Sequence, residues 1–346
     1  MKTHGQIIAS SFRPHPLLRN PHAQTLFAAL LRPTPALAIR RERLELDDGD
    51  FVDLGWSGDG NAEGPIAVLV HGLTGGFESK YLRGLAQRLV ARGWRTVALQ
   101  LRGGGPEPNR TTRLYNHGDT TDLRHLLHLL RQRERNTPLS VVGWSLGANV
   151  VLKALGEEGD ALPVTAAVAV CAPLRLVPCA ERLRHGFSRQ YQDRLLRELY
   201  EILRRKHQVR QVPLAPGVDL EAALKARDFF ELDDAFTAPN NGYRDALDYY
   251  TQCECGAFLG RIRRPTLIIN ADDDPFMDPA ILPVAEELAP QVTLELAGHG
   301  GHVGFVAAGR FGQPEYWLEP HIEHYLAEAV ADDGHALAGH GVDALA

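Results

Sequence analysis

The chain has little that would take it into a membrane. Leu26 to Leu31 is apolar, but it falls far short of the roughly 20 residues that span a bilayer. The start, Met1-Lys2-Thr3-His4 with Arg13 and Arg19 downstream, has no apolar segment of signal-peptide length. A soluble, unexported protein is the expectation. Cysteine is scarce: Cys171, Cys179, Cys253 and Cys255. None forms a C-x-x-C pair. Cys253-Glu254-Cys255 is too tight a loop for an easy bridge and has no adjacent histidine to share zinc. Reduced thiols and a cytoplasmic setting follow. Excess charge of one sign is also missing. A net charge of -6 and a pI near 6.2 argue against a nucleic-acid partner. No like-charge run is long enough for a tail or nuclear signal, and no repeat or low-complexity block appears.

What is present is an ordinary globular composition, 44% hydrophobic and 23% charged. The 346 residues leave room for a large α/β unit with an insertion. Residues 1–40 are proline-rich and read as an irregular arm with one short helix near Ala23 to Leu31. Arg43 to Leu46 and Val52 to Trp56 alternate around Asp48-Gly49, which predicts a hairpin. Continuous apolar runs then alternate with helical spacing. The strands are Ile66 to Val70, Thr96 to Leu101, Ser140 to Val142, Val164 to Val170, Thr266 to Asn270 and Val292 to Leu296. The helices are Tyr81 to Ala91, Thr121 to Arg131 and a closing one at Glu315 to Val330. This pattern predicts an α/β fold with a mostly parallel sheet and helices on both faces. The core is expected over 41–171 and 261–330. About 95 residues between Val170 and Thr266 carry helical but no strand signal, and a structureless loop of that length is uncommon. Residues 172–260 are therefore read as a helical cap, and 331–346 as a flexible tail.

Gly143-Trp144-Ser145-Leu146-Gly147 lies between a strand and a helix. That is the setting of a nucleophile elbow, and it makes Ser145 the candidate nucleophile. A serine hydroxyl needs a base, an orienter for that base, and donors for an oxyanion. These should come from other strand ends on the same sheet edge. After the last strand comes Gly298-His299-Gly300-Gly301-His302, and His302 is the favoured base, with His299 a loop residue. After the preceding strand comes Asp272-Asp273-Asp274-Pro275; Asp274 is the favoured acid and Asp273 the alternative. The oxyanion donors are the backbone N–H groups of Leu146 and of Leu73, in the loop His71-Gly72-Leu73-Thr74-Gly75-Gly76. His71 itself reads as structural. Arg102-Gly103-Gly104-Gly105-Pro106 lacks the Lys-Ser/Thr of a phosphate loop and reads as a turn. His125 with His128, and His321 with His324, lack further ligands and read as solvated helix faces. No cofactor or metal is called for. Arg194, Arg197, Arg204, Arg205 and Lys206 flank a cap helix and allow transient membrane-surface contact, although packing explains them too.

These residues resemble the α/β-hydrolase superfamily, and within it the YheT-like branch, which is related to a mammalian group of abhydrolase-domain esterases and lipases. The resemblance rests on Asn20-Pro21-His22-Ala23-Gln24-Thr25, the His71 loop, the Ser145 elbow, Phe236-Thr237-Ala238-Pro239 with Tyr249-Tyr250, Asp273-Asp274-Pro275-Phe276, and Gly300-Gly301-His302-Val303-Gly304-Phe305. It implies an α/β-hydrolase fold with Ser145 as nucleophile, Asp274 as acid and His302 as base. Relatives often have Arg-Gly-Cys where this chain has Arg102-Gly103-Gly104, a departure that touches pocket shape rather than mechanism. The expected function is cleavage of small-molecule carboxylic esters, of short or medium acyl chain or acyl lipids, through an acyl-enzyme. A thioesterase, amidase or other acyl transferase of the same fold is the alternative. A catalytically silent binding protein is the non-enzyme alternative.

Overall fold

The structure, a computed structural model, describes residues 3–60 and 63–340. Its centre is a nine-stranded sheet. In chain order the strands are β1 (Gln6–Ala9), β2 (Arg40–Glu45), β3 (Phe51–Ser57), β4 (Ile66–Val70), β5 (Arg95–Gln100), β6 (Leu139–Trp144), β7 (Ala166–Val170), β8 (Thr266–Ala271) and β9 (Val292–Ala297). Their spatial order is β1-β9-β8-β7-β6-β4-β5-β3-β2. All neighbours run parallel except β2 with β3 and β3 with β5. The predicted hairpin is therefore the antiparallel edge. Strands β4 to β8 are buried along their whole length. Only a strand covered on both faces tolerates an unbroken apolar run in water, so the continuous runs identified the sheet centre.

The first helices are α1 (Pro21–Leu26), α2 (Lys80–Ala91), α3 (Thr121–Arg133) and α4 (Leu146–Glu158). Helix α4 is buried almost all round and follows Ser145 directly. Among the described residues, the stretch between β7 and β8 is made of helices joined by loops and holds no strand. It contains α5 (Leu176–Leu183), α6 (Ser188–Arg210), α7 (Leu220–Ala223), α8 (Phe229–Leu232), α9 (Ala238–Asn240) and α10 (Ala246–Cys253). Two small apolar clusters hold it together, one around Leu196, Leu203 and Phe236 and one around Tyr249, Tyr250 and Cys253. The five cations singled out along α6 are engaged. Arg194 pairs with Glu198, Arg204 with Glu201, and Arg197 reaches the Asp193 carbonyl. Arg205 and Lys206 reach carbonyls of the 105–113 loop.

Two readings need correction. Residues 1–40 are not wholly irregular: Gln6–Ala9 is strand β1, paired in parallel with β9 in the register Gln6↔Thr293. Four residues, exposed along their length, carry no burial pattern for a sequence reading to find. At the other end, α11 (Leu318–His340) runs past Val330, where the sequence pattern stopped. The last six residues of the expected tail lie outside the described residues. Among the described residues, no helix is long and apolar enough to cross a membrane.

Candidate active site

The turn at Ser145 follows from close packing. Strand β6 must pass directly into α4, and the serine adopts φ 53 and ψ -119. A Cβ at Gly143 would lie 2.4 Å from the Gly147 carbonyl oxygen, and one at Gly147 would lie 2.3 Å from that of Val70. No larger residue fits either position. A side chain in a positive-φ turn costs of order 1–3 kcal/mol and persists only where the surroundings impose it. Thr74, Cys171, Val303 and Phe305 are also non-glycine residues at positive φ, and all belong to loops at the same sheet edge.

The structure brings Ser145, His302 and Asp274 together. His302 Nε2 lies 3.0 Å from Ser145 Oγ, and His302 Nδ1 lies 2.8 Å from Asp274 Oδ2. An ionised carboxylate only accepts, so Nδ1–H donates to Asp274 and Nε2 is left to accept the serine proton. The Asp274 side chain is fully buried, and its other oxygen accepts the Phe276 N–H at 2.8 Å. Asp273 points elsewhere. It accepts the Gly301 N–H at 3.0 Å and pairs with His299 at 3.2 Å. Burial pushes its carboxyl pKa up, against those two hydrogen bonds. It supports the loop and does not contact His302 Nδ1. His128 and His321, read as solvated faces, each meet a glutamate, Glu158 and Glu295, at 2.7 Å.

The loop after β4 is held by residues the sequence reading did not single out. Gly72 N–H donates to Tyr81 Oη at 3.0 Å, and Thr74 N–H donates to Tyr115 Oη at 2.9 Å. Burial pushes the Tyr115 phenol up to about 12, so it stays neutral. Leu73 N–H lies between these two anchored groups, and Leu146 N–H begins α4. Neither has a protein acceptor among the described residues. His71 is structural, as expected. Its Nδ1–H donates to the Gly72 carbonyl at 2.7 Å, while Nε2 accepts from Leu101 N–H at 3.1 Å. Burial lowers its pKa to about 4. His117, also buried, is lowered to about 4.

A stability test follows from these histidines. Below about pH 6.5 the unfolded chain takes up protons that folded His71 and His117 refuse. Stability is full above that pH and declines towards pH 4, by about 3 kcal/mol per site over the interval. Urea unfolding between pH 7.5 and 4.5 should show the loss, and His71→Gln should remove about half of it. An unchanged slope in that variant rejects the buried neutral assignment.

Two further side chains complete the surroundings of His302. Thr25 Oγ1 accepts the His302 N–H at 2.9 Å. The Phe276 ring stacks on the imidazole, with centroids 3.9 Å apart and planes 13° from parallel. Both lie in segments that carried the family resemblance, but neither shows its role without a neighbour to touch. Cys171 also approaches: its ligand atom and those of Asp274 and His302 lie within 4.8 Å of one another. Burial, reinforced by Asp274, drives the Cys171 thiol pKa well up. Metal ligation needs the thiolate, so this donor set is a poor one. All four cysteines are free and buried. The Arg102 loop is a turn in which the Arg102 guanidinium is buried against Asp122 and Asp50.

A cavity of about 590 Å³ opens over Ser145 and His302, between the sheet edge and the helical insert. Leu183, Leu195, Leu199 and Ile202 give it a long apolar wall. A cleft of this size and lining suits one small, largely apolar molecule.

The strand order and the turn at Ser145 are those of an α/β hydrolase. Comparison with known proteins agrees. Residues 65–308 match the family model for the alpha/beta hydrolase fold. The chain is 41% identical over 324 residues to "Putative esterase YheT" of Escherichia coli (strain K12), covering 92% of this chain and 93% of that protein. It is 26% identical to "Phospholipase ABHD3" of Mus musculus, covering 98% and 83%. Among solved structures, a Pyrococcus furiosus esterase, Pf2001, superposes with a TM-score of 0.54 at 15% identity over 96% of this chain and 98% of that one. The chain belongs to the α/β-hydrolase family and, within it, to the YheT-like branch.

Proposed function

We propose that this hydrolase cleaves carboxylic esters through an acyl-enzyme on Ser145. The observation that carries the reading is the hydrogen-bonded chain Ser145–His302–Asp274, at 3.0 and 2.8 Å, facing the apolar cavity. His302 Nε2 takes the Ser145 proton as Oγ attacks the substrate carbonyl. Asp274 keeps the proton of the other ring nitrogen in place and stabilises the imidazolium. Leu73 and Leu146 N–H groups receive the oxyanion, and the start of α4 adds the positive end of its dipole. His302 then returns the proton to the leaving alcohol. Water, deprotonated in turn by His302, attacks the acyl-enzyme and frees the acid. No step needs a cofactor. The helical insert 172–260 serves as the cap that shapes the acyl site.

The substrate class is acyl esters of short or medium chain, or acyl lipids. The cavity's apolar wall supports it, as do relatives named esterase and phospholipase. Matched ester, thioester and amide substrates of one acyl chain would rank the leaving groups. The test of the nucleophile is labelling with a fluorophosphonate probe. Ser145 should be the modified residue, and Ser145→Ala should not react. Folded protein that fails to label at Ser145 would point to a silent binding protein.

A further inference from the structure

Of the charged side chains that line the cavity, Arg32, Glu78, Arg194 and Glu198 are ion-paired and Lys80 donates to the Ala29 and Leu30 carbonyls, which leaves Asp233. Asp233 opens the turn Asp233–Thr237 in the helical insert, is 8% exposed, and lines the same cavity as Ser145. Its carboxylate accepts the Tyr250 hydroxyl at 2.6 Å, with the Thr237 hydroxyl alongside. Other buried carboxylates among the described residues each face a cation or a histidine. Asp50 and Asp122 meet Arg102, Asp228 meets Arg184, Asp274 meets His302, and Glu295 meets His321. Glu319 meets Arg32 and Glu323 meets Arg88. Asp233 has no such partner among the described residues. The neighbouring charges that act on it, Asp234 and Asp228, have its own sign. Burial pushes its pKa up to about 6, so at neutral pH the group is mostly ionised.

A desolvated carboxylate is costly unless something pairs with it. Here the open side is the cavity. The rings of Tyr249, Tyr250, Phe229 and Phe236 also line it, and aromatic faces favour cations. This wall connects to the reacting group. Tyr249 Oη accepts the His117 N–H at 3.0 Å, and Asn149 Nδ2 donates to the His117 carbonyl at 2.8 Å. Asn149 lies on α4, one turn beyond Ser145. The cavity thus has a largely apolar wall from α5 and α6, where Arg194 and Glu198 pair with each other, and a wall from the Asp233 turn and α10 that bears a carboxylate without a cation.

We propose that Asp233 and Tyr250 form a head-group subsite, which takes the alcohol portion of the ester when that portion carries a hydroxyl or a cationic ammonium. The acyl chain then lies along Leu195, Leu199 and Ile202. This inference rests on Ser145 being the nucleophile.

Three octanoyl esters test it: ethyl, 1-glyceryl and choline. At pH 7.5 the wild-type kcat/KM for the glyceryl or the choline ester should exceed that for the ethyl ester by at least about tenfold, because a built polar site rejects a substrate that leaves it unpaired. Asp233→Asn should bring that ratio back towards one. Loss of the choline preference identifies the ammonium as the head group; loss of the glyceryl preference identifies the hydroxyl. If the variant does not fold, the wild type still decides. Tetramethylammonium or glycerol should then compete with ethyl octanoate at least about tenfold better than tert-butanol, which has a similar apolar bulk. Hydrolysis of all three esters at similar kcat/KM, or a ratio untouched in folded Asp233→Asn, overturns the subsite and leaves the hydrolase reading standing. Failure to hydrolyse any of the three overturns both.

Discussion

Ser145→Ala lowers kcat for a p-nitrophenyl ester by about 10⁴- to 10⁶-fold, the range expected when a member of an interdependent nucleophile–base pair is removed. The loss is large because in the proposed mechanism every covalent step passes through Oγ. KM should change far less, since the cavity walls proposed to bind the acyl chain are untouched. The protein should still fold. The backbone at Ser145 is held at φ 53 by β6 and α4 packing around Gly143 and Gly147, and alanine keeps the same backbone and Cβ. Steady-state kinetics with circular dichroism as a folding control is the measurement. Activity within tenfold of wild type in the folded variant rejects Ser145 as nucleophile.

The second large effect separates two adjacent acids. Asp274→Asn should lower kcat by roughly 10⁴-fold, because an amide beside Nδ1 favours the wrong tautomer and gives no charge to the imidazolium. Asp273→Asn should cost less than about tenfold, since Asp273 holds Gly301 N–H and His299 and leaves His302 Nδ1 alone. The two substitutions are chemically the same and one residue apart, so general damage to the loop would lower both. Comparable losses in the two variants would reject the assignment of Asp274 as the acid.

The difference in how readily these residues could be read has a physical basis. Ser145 announces itself because the elbow is local. A strand entering a helix through one tight turn demands glycine at fixed offsets, and five adjacent residues record it. The acid was narrower but still open, because a carboxylate's role depends on where its oxygens point. Asp273 and Asp274 share a loop and diverge through their partners, Gly301 N–H for one and Phe276 N–H for the other. Thr25 shows the opposite extreme. It supports His302 from 277 positions away in the chain, and although its segment carried the family resemblance, nothing in that segment shows which residue it braces. Strand β1 was invisible for a similar reason. Among the described residues its one sheet partner is β9, near the other end of the chain.

What the amino-acid order determined by itself was the set of local elements. Apolar runs buried on both faces made a parallel sheet, helical spacing placed most of the helices around it, and glycines at 143 and 147 made the turn at Ser145. Those are short-range consequences of sterics and of keeping apolar surface from water. Tertiary structure alone decided which acid meets His302, which residues brace it, and what the cavity over Ser145 presents to a ligand. Those outcomes depend on directions and distances between segments from 28 to 277 residues apart in the chain. The unmatched carboxylate of Asp233 is the clearest case: in the sequence it is one acid beside another, and only packing removes its water and turns it towards the cavity.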